Sequence, residues 1–117
     1  MAKLSTHVLD TLHGRPAAGV RVELHSIGPG GTTLIATTRT NADGRTDKPL
    51  LEGDAVHRGR YRLVFHVGDY FRAAGIALPD PPFVDVVPVD FGIAEDGGSY
   101  HVPLVCTPWT YSTYRGS

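Results

Sequence analysis

Gly19-Val20-Arg21-Val22-Glu23-Leu24-His25-Ser26-Ile27 places Val20, Val22 and Leu24 on one parity and Arg21, Glu23 and His25 on the other. A period of two is that of a strand with one face buried and one face wet. Tyr61, Leu63, Phe65 and Val67 repeat the pattern against Arg62 and His66. Working outward, candidate strands fall at Leu4–Asp10, Gly19–Ile27, Thr32–Thr40, Arg60–Val67, Phe83–Ile93, Ser99–Thr107 and a short Thr110–Tyr114. Between them lie turn-forming clusters: His13-Gly14-Arg15-Pro16, Gly28-Pro29-Gly30-Gly31, Asn41-Ala42-Asp43-Gly44 and Glu95-Asp96-Gly97-Gly98. Fourteen glycines and nine prolines keep the strands short. That rhythm predicts an all-β sandwich of two sheets. Asp69–Gly75 reads as one short helix, with Asp69 as N-cap and Gly75 as its stop. Ala73–Pro82 is rich in proline, and the parity slip between Val86 and Val87 predicts a bulge. No linker or internal repeat divides residues 1–117, so a single domain is expected.

The composition narrows the partners. Net charge is −1 with acids and bases interspersed, which predicts no nucleic-acid stripe and no charged tail. A domain this small has a thin core, so self-association would be a natural supplement. The one cysteine, Cys106, lies among Val102, Leu104 and Val105 and reads as a small buried hydrophobe. Met1–Asp10 lacks the continuous apolar stretch of a signal peptide. Nothing approaches the roughly 20 apolar residues of a membrane span. A cytoplasmic location with no membrane partner is the expectation.

Two strands carry chemistry on their outer parity. Tyr100, Val102, Leu104 and Cys106 make the apolar face of Ser99–Thr107, so His101 points the other way with Ser99 and Pro103. In the first strand, Ser5, His7 and Leu9 oppose Leu4, Thr6 and Val8, so His7 can also face outward. A histidine titrates near working pH and can exchange protons in a reaction. His13, His25, His57 and His66 read as ordinary turn or strand histidines. No third ligand at a recognised spacing accompanies His7 and His101, so no metal site is expected. Arg45, just past the Asn41–Gly44 turn, is either a solvated turn residue or a paired donor for a carbonyl or anionic ring. There is no Gly-x-Ser-x-Gly elbow, and the lone thiol looks buried, so hydrolysis here would use activated water. The polar, aromatic end, Thr110 to Ser117, is either a frayed tail or a docking segment.

These residues fall into four motifs. Tyr114-Arg115-Gly116-Ser117 ends the chain, and Ser5-Thr6-His7-Val8-Leu9-Asp10 with Gly14-Arg15-Pro16-Ala17 opens it. Thr40-Asn41-Ala42-Asp43-Gly44-Arg45 and Tyr100-His101-Val102-Pro103-Leu104 lie between. In this order and over nearly the whole chain, the set resembles the 5-hydroxyisourate hydrolases of the transthyretin-like protein family. The resemblance implies a two-sheet transthyretin-like β-sandwich with one short helix, in which the first strand and the His101 strand are neighbours. It implies a homotetramer, a dimer of dimers, with sites in the channel between dimers. It implies hydrolysis of 5-hydroxyisourate to 2-oxo-4-hydroxy-4-carboxy-5-ureidoimidazoline in urate degradation, with no cofactor. By position it implies His7, Arg45 and His101 as catalytic, and Tyr114, Arg115, Gly116 and Ser117 as the substrate-binding segment. Two other readings are a transthyretin-type carrier of a small aromatic ligand and a structural or carbohydrate-binding sandwich. The carrier would lack the histidine–arginine set and the tail. The carbohydrate binder would expose aromatic platforms, whereas the aromatics here are expected in strand cores and the tail.

Overall fold

The structure is a computed structural model and describes residues 2–117. In chain order it contains β1 (Lys3–Asp10), β2 (Arg15–Pro16), β3 (Arg21–Gly28), β4 (Gly31–Arg39) and β5 (Leu51–Glu52). A single 3-10 turn at Gly53–Ala55 leads to β6 (Gly59–His66), α1 (Val67–Ala73), β7 (Val86–Ile93), β8 (Ser99–Cys106) and β9 (Tyr111–Thr113). One sheet runs β2-β1-β8-β9, with β5 also paired to β1, and the other runs β4-β3-β6-β7. The fold is therefore the two-sheet sandwich that the alternation predicts.

The inner faces follow the predicted parity. Leu4, Val8, Val102, Leu104 and Cys106 from the first sheet meet Val22, Leu24, Leu63, Phe65 and Val89 from the second. Each fully buried aliphatic or aromatic side chain of this kind contributes roughly 1.5–3 kcal/mol. Three polar side chains share the interior, Thr6, Asp10 and Thr40. Thr6 donates its hydroxyl to the Val102 carbonyl at 2.7 Å. Asp10 accepts from the His13 backbone N–H at 2.9 Å and from the Tyr70 hydroxyl at 2.7 Å. Cys106 is buried as expected, and burial pushes its thiol up to about 12.

Several local expectations shift. The helix begins at Val67, two residues before Asp69, with His66 at the cap position, so Asp69 lies in the first turn. Its end agrees with the sequence: Gly75 has φ +88°, which a residue with a Cβ rarely adopts. Gly75 N–H bonds the Arg72 carbonyl and Ile76 N–H bonds the Phe71 carbonyl, each at 3.1 Å. That is the paired Schellman closure of a helix C-terminus. The proline-rich segment, which includes a cis Asp80–Pro81 peptide, returns against the start of α1. Val67 and Gly68 there both donate to the Asp85 carbonyl at 3.0 Å.

Because Asp85 serves the helix, β7 starts only at Val86 and pairs with β6 in unbroken register from Val86 to Ile93. The predicted bulge at Val86–Val87 is therefore absent, and the parity slip marks the strand's start. A register shift lies instead between Leu24 and His25, where β3 pairs with β4. Aromatic placement differs too. Phe83 is 81% exposed and Trp109 59%, because both sit in loops rather than in strands. Among the described residues no helix is long and apolar enough to cross a membrane.

Candidate active site

β1 and β8 are parallel neighbours, with Ser5 opposite His101 and His7 opposite Pro103. Shared parity puts Ser5, His7 and His101 on the outer face of the first sheet, where all three are half-buried. The geometry thus unites two histidines that are far apart in the chain, and it brings a third group to them by a turn.

That turn is built from its own sequence. The Asn41 side-chain oxygen accepts the backbone N–H groups of Asp43 (2.9 Å) and Arg45 (3.2 Å), an Asx arrangement that closes the loop. Gly44, at φ +75°, gives its carbonyl to the Val8 N–H at 2.8 Å. A Cβ on Gly44 would collide with the Val8 carbonyl oxygen, so only glycine lets the turn dock on β1 this closely. Asp43, one residue earlier, places its carbonyl oxygen 2.8 Å from His7 Nε2. A carbonyl only accepts, so His7 carries a proton on Nε2 and presents Nδ1. Arg45 follows directly and is exposed on this side of the sheet.

His101 is the most constrained member. Its Nδ1 lies 2.8 Å from Ser5 Oγ. Burial first, then the charges of Arg45, His7 and Lys3, hold its pKa below the ordinary histidine value, against a smaller opposing contribution from the Ser5 backbone. The ring is therefore neutral at physiological pH and can accept a proton. Among the described residues no carboxylate pairs with His7 or His101. None of the described His, Cys, Asp or Glu residues form a group of three or more that could hold a metal ion.

The C-terminal tail reaches this face through its backbone. Gly116 N–H donates to the His101 carbonyl at 2.8 Å, continuing the β8–β9 pairing. A Cβ on Gly116 would come within 2.5 Å of the imidazole Cδ2, so the tail lies flat against the ring. Arg115 takes the opposite parity. Its guanidinium stacks 4.5 Å over the Tyr100 ring and donates to the Ser99 carbonyl at 3.3 Å. Tyr114 is 57% exposed. Within one chain, then, His7, His101, Arg45 and Gly116 converge, and the Arg115 side chain points elsewhere.

Ser5, which opens the Ser5–Asp10 motif without a role of its own there, and Lys3, which belongs to no motif, also join the site. Both share the parity of His7 on the first strand. The site is also an open sheet face rather than a cavity. A groove of about 810 Å³ lies between the Arg15–Gly19 segment, Arg21, Arg39 and α1, and is lined by none of His7, Arg45 or His101.

The chain matches the family model described as HIUase/Transthyretin family over residues 4–116. It is 55% identical to the 5-hydroxyisourate hydrolase of Ralstonia nicotianae, covering 100% of both chains. Among solved structures, it superposes on Klebsiella pneumoniae 5-hydroxyisourate hydrolase with TM-score 0.81 and 35% identity, covering 100% of this chain and 94% of that one. It superposes on transthyretin from Sparus aurata with TM-score 0.86 and 29% identity, covering 99% and 97%. Identity is thus higher to these hydrolases than to that transthyretin, although the backbone resembles both. With both sheets in place and the match running almost end to end, the chain belongs to the HIUase/Transthyretin family.

Proposed function

We propose that this chain is a hydroxyisourate hydrolase that adds water to a ring carbonyl of 5-hydroxyisourate. The water oxygen bonds the carbonyl carbon, and the cyclic C–N bond then breaks. The departing nitrogen takes a proton, giving 2-oxo-4-hydroxy-4-carboxy-5-ureidoimidazoline. The observation that carries the reading is the meeting of His7, His101 and Arg45 on one face of the β1–β8 pair, in a chain 55% identical to a 5-hydroxyisourate hydrolase.

His101 is the better placed base, because its ring is neutral and its Nε2 is not taken up by Ser5. His7, fixed through Nε2 by the Asp43 carbonyl, orients the substrate ring, and the proton that His101 takes from the water passes to the leaving nitrogen. Arg45 stabilises charge growing on the carbonyl oxygen. Tyr114, Arg115, Gly116 and Ser117 form the substrate-binding segment of the proposal, with Gly116 already against His101. No cofactor is required, since base, donor and water suffice for hydrolysis.

An open sheet face leaves water free access, and a second subunit laid over it would enclose the substrate. A homotetramer, as a dimer of dimers, supplies that cover and is part of the proposal, as is one functional domain spanning residues 1–117. A cytoplasmic location is also part of it and suits a single buried thiol. The test generates 5-hydroxyisourate from urate and urate oxidase and follows its ultraviolet decay. Acceleration over the spontaneous rate is expected. Folded protein giving none would move the reading to a carrier of small aromatic ligands.

A further inference from the structure

A neutral imidazole carries one proton on one of two nitrogens, and the partner of one nitrogen decides which. For His101 that partner is Ser5. The two residues are 96 positions apart in sequence and directly opposed in the β1–β8 register, with Oγ and Nδ1 at 2.8 Å. The groups that face this ring are Lys3 and His7 from β1, Arg45 from the docked turn, and the Gly116 backbone from the tail. All the charged groups among them are basic. A catalytic histidine is commonly oriented by a carboxylate, which also makes it more basic. Here a hydroxyl stands in that position and orients the ring without adding negative charge. The Ser5 main chain acts in the same direction, favouring a proton on the ring. The Ser5 hydroxyl can accept a proton from Nδ1 or donate one to it, whereas a carbonyl oxygen can only accept, which tips the pair toward Nδ1–H.

We propose that Ser5 is a positioning residue that holds the His101 proton on Nδ1, leaving the Nε2 lone pair free to take a proton from the attacking water. The geometry behind this is the Ser5–His101 hydrogen bond across the parallel strands. The catalytic half of the inference rests on the hydrolase reading above, while the tautomer itself does not.

The experiment uses full-length protein labelled with ¹⁵N-histidine, in which Nδ1 and Nε2 resonances separate the two tautomers of His101. Wild type is expected in the Nδ1–H form. Ser5→Ala should give a mixture of tautomers, with kcat reduced about ten- to a hundredfold and KM within about twofold of wild type. Ser5→Thr, which keeps the hydroxyl, should restore both. A wild-type His101 protonated on Nε2 would overturn the proposal. So would Ser5→Ala with lower kcat but an unchanged tautomer, since the effect would then be structural. The wild-type tautomer is read without any variant, so a Ser5→Ala protein that failed to fold would not block the test. A wild type in the Nδ1–H form that did not hydrolyse 5-hydroxyisourate would sink the hydrolase reading alone.

Discussion

The outer faces of the two sheets each carry a half-buried pair of histidines, and the pairs have opposite surroundings. On the second sheet, Glu23 of β3 lies between His25 Nε2 at 3.0 Å and His66 Nε2 at 2.6 Å, with Arg21 at 3.5 Å. On the first, His7 and His101 have a carbonyl, a hydroxyl and basic neighbours. Hydrogen bonds from His66 and then His25 hold the Glu23 carboxyl below its ordinary range. Burial and the nearby cations hold the His101 ring below its own. The first arrangement joins strands, because a carboxylate satisfied by two histidines gains most from staying where it is. The second leaves an imidazole poised to gain a proton, which is the condition for base catalysis. Residue type is the same in both places, and the partner decides the role.

The comparison breaks most visibly if the two pairs are interchangeable under mutation. His101→Ala should lower kcat for 5-hydroxyisourate by about 10²–10⁴-fold, the usual worth of a positioned base. Circular dichroism should stay unchanged, because the ring lies outside the core. Retained turnover in that variant would remove the first sheet's claim to chemistry.

Next in size is the turn that supplies Arg45. Gly44→Ala forces a residue with a Cβ into φ +75° against the Val8 carbonyl. It should cost about 1–3 kcal/mol from the backbone alone. It should also lower activity, because Arg45 moves with the turn. Thermal unfolding and the ultraviolet assay read the two effects, and Gly92→Ala, where a Cβ meets open space, is the control.

Glu23→Gln sharpens the other side. Turnover should be unaffected and stability should fall by about 1 kcal/mol at neutral pH, the net scale of one hydrogen bond. The sign with pH follows from linkage. Glu23 has a lower pKa folded than its ordinary value of 4.5, so its contribution is present above that value and is lost as pH falls through the folded pKa. Wild type should therefore lose more stability than Glu23→Gln on acidification below about 4.5, measured by urea titration at stepped pH.

The smallest effect separates the cations around His101. The acidic limb of the kcat/KM profile should lie below 6.5, since protonating the base ends activity and its pKa is lowered. Lys3→Ala removes one like charge, so the limb should move up, by less than Arg45→Ala moves it. Arg45 acts on the ring more strongly than Lys3 does. A limb that moved down, or moved equally in both variants, would contradict the electrostatic ordering.

Much of this is legible in the amino-acid sequence. Alternation in β3, β6 and β8 identifies the buried face of each strand, and with it the outward direction of His101 and the burial of Cys106. Gly75 marks the helix end, because a positive φ is a local demand with a local signature. The helix start escapes the same reading because Val67 and Gly68 find their acceptor at Asp85, which no nearby residue announces. The expected bulge at Val86–Val87 fails for the same reason. Ser5 shares the parity of His7 and lies in the same motif, yet neither says what a serine on an outer strand face does until its neighbour across the sheet, His101, is known.

The sequence alone therefore determined which side of each strand meets water, because side-chain alternation is a property of the backbone over a few residues. Tertiary structure alone decided that Ser5 lies opposite His101, that the Gly44 turn docks on Val8 beside His7, and that Gly116 rests on the imidazole. Those are registers between segments far apart in the chain. They are chosen by backbone hydrogen bonds and close packing summed over whole strands, and no local pattern encodes that sum.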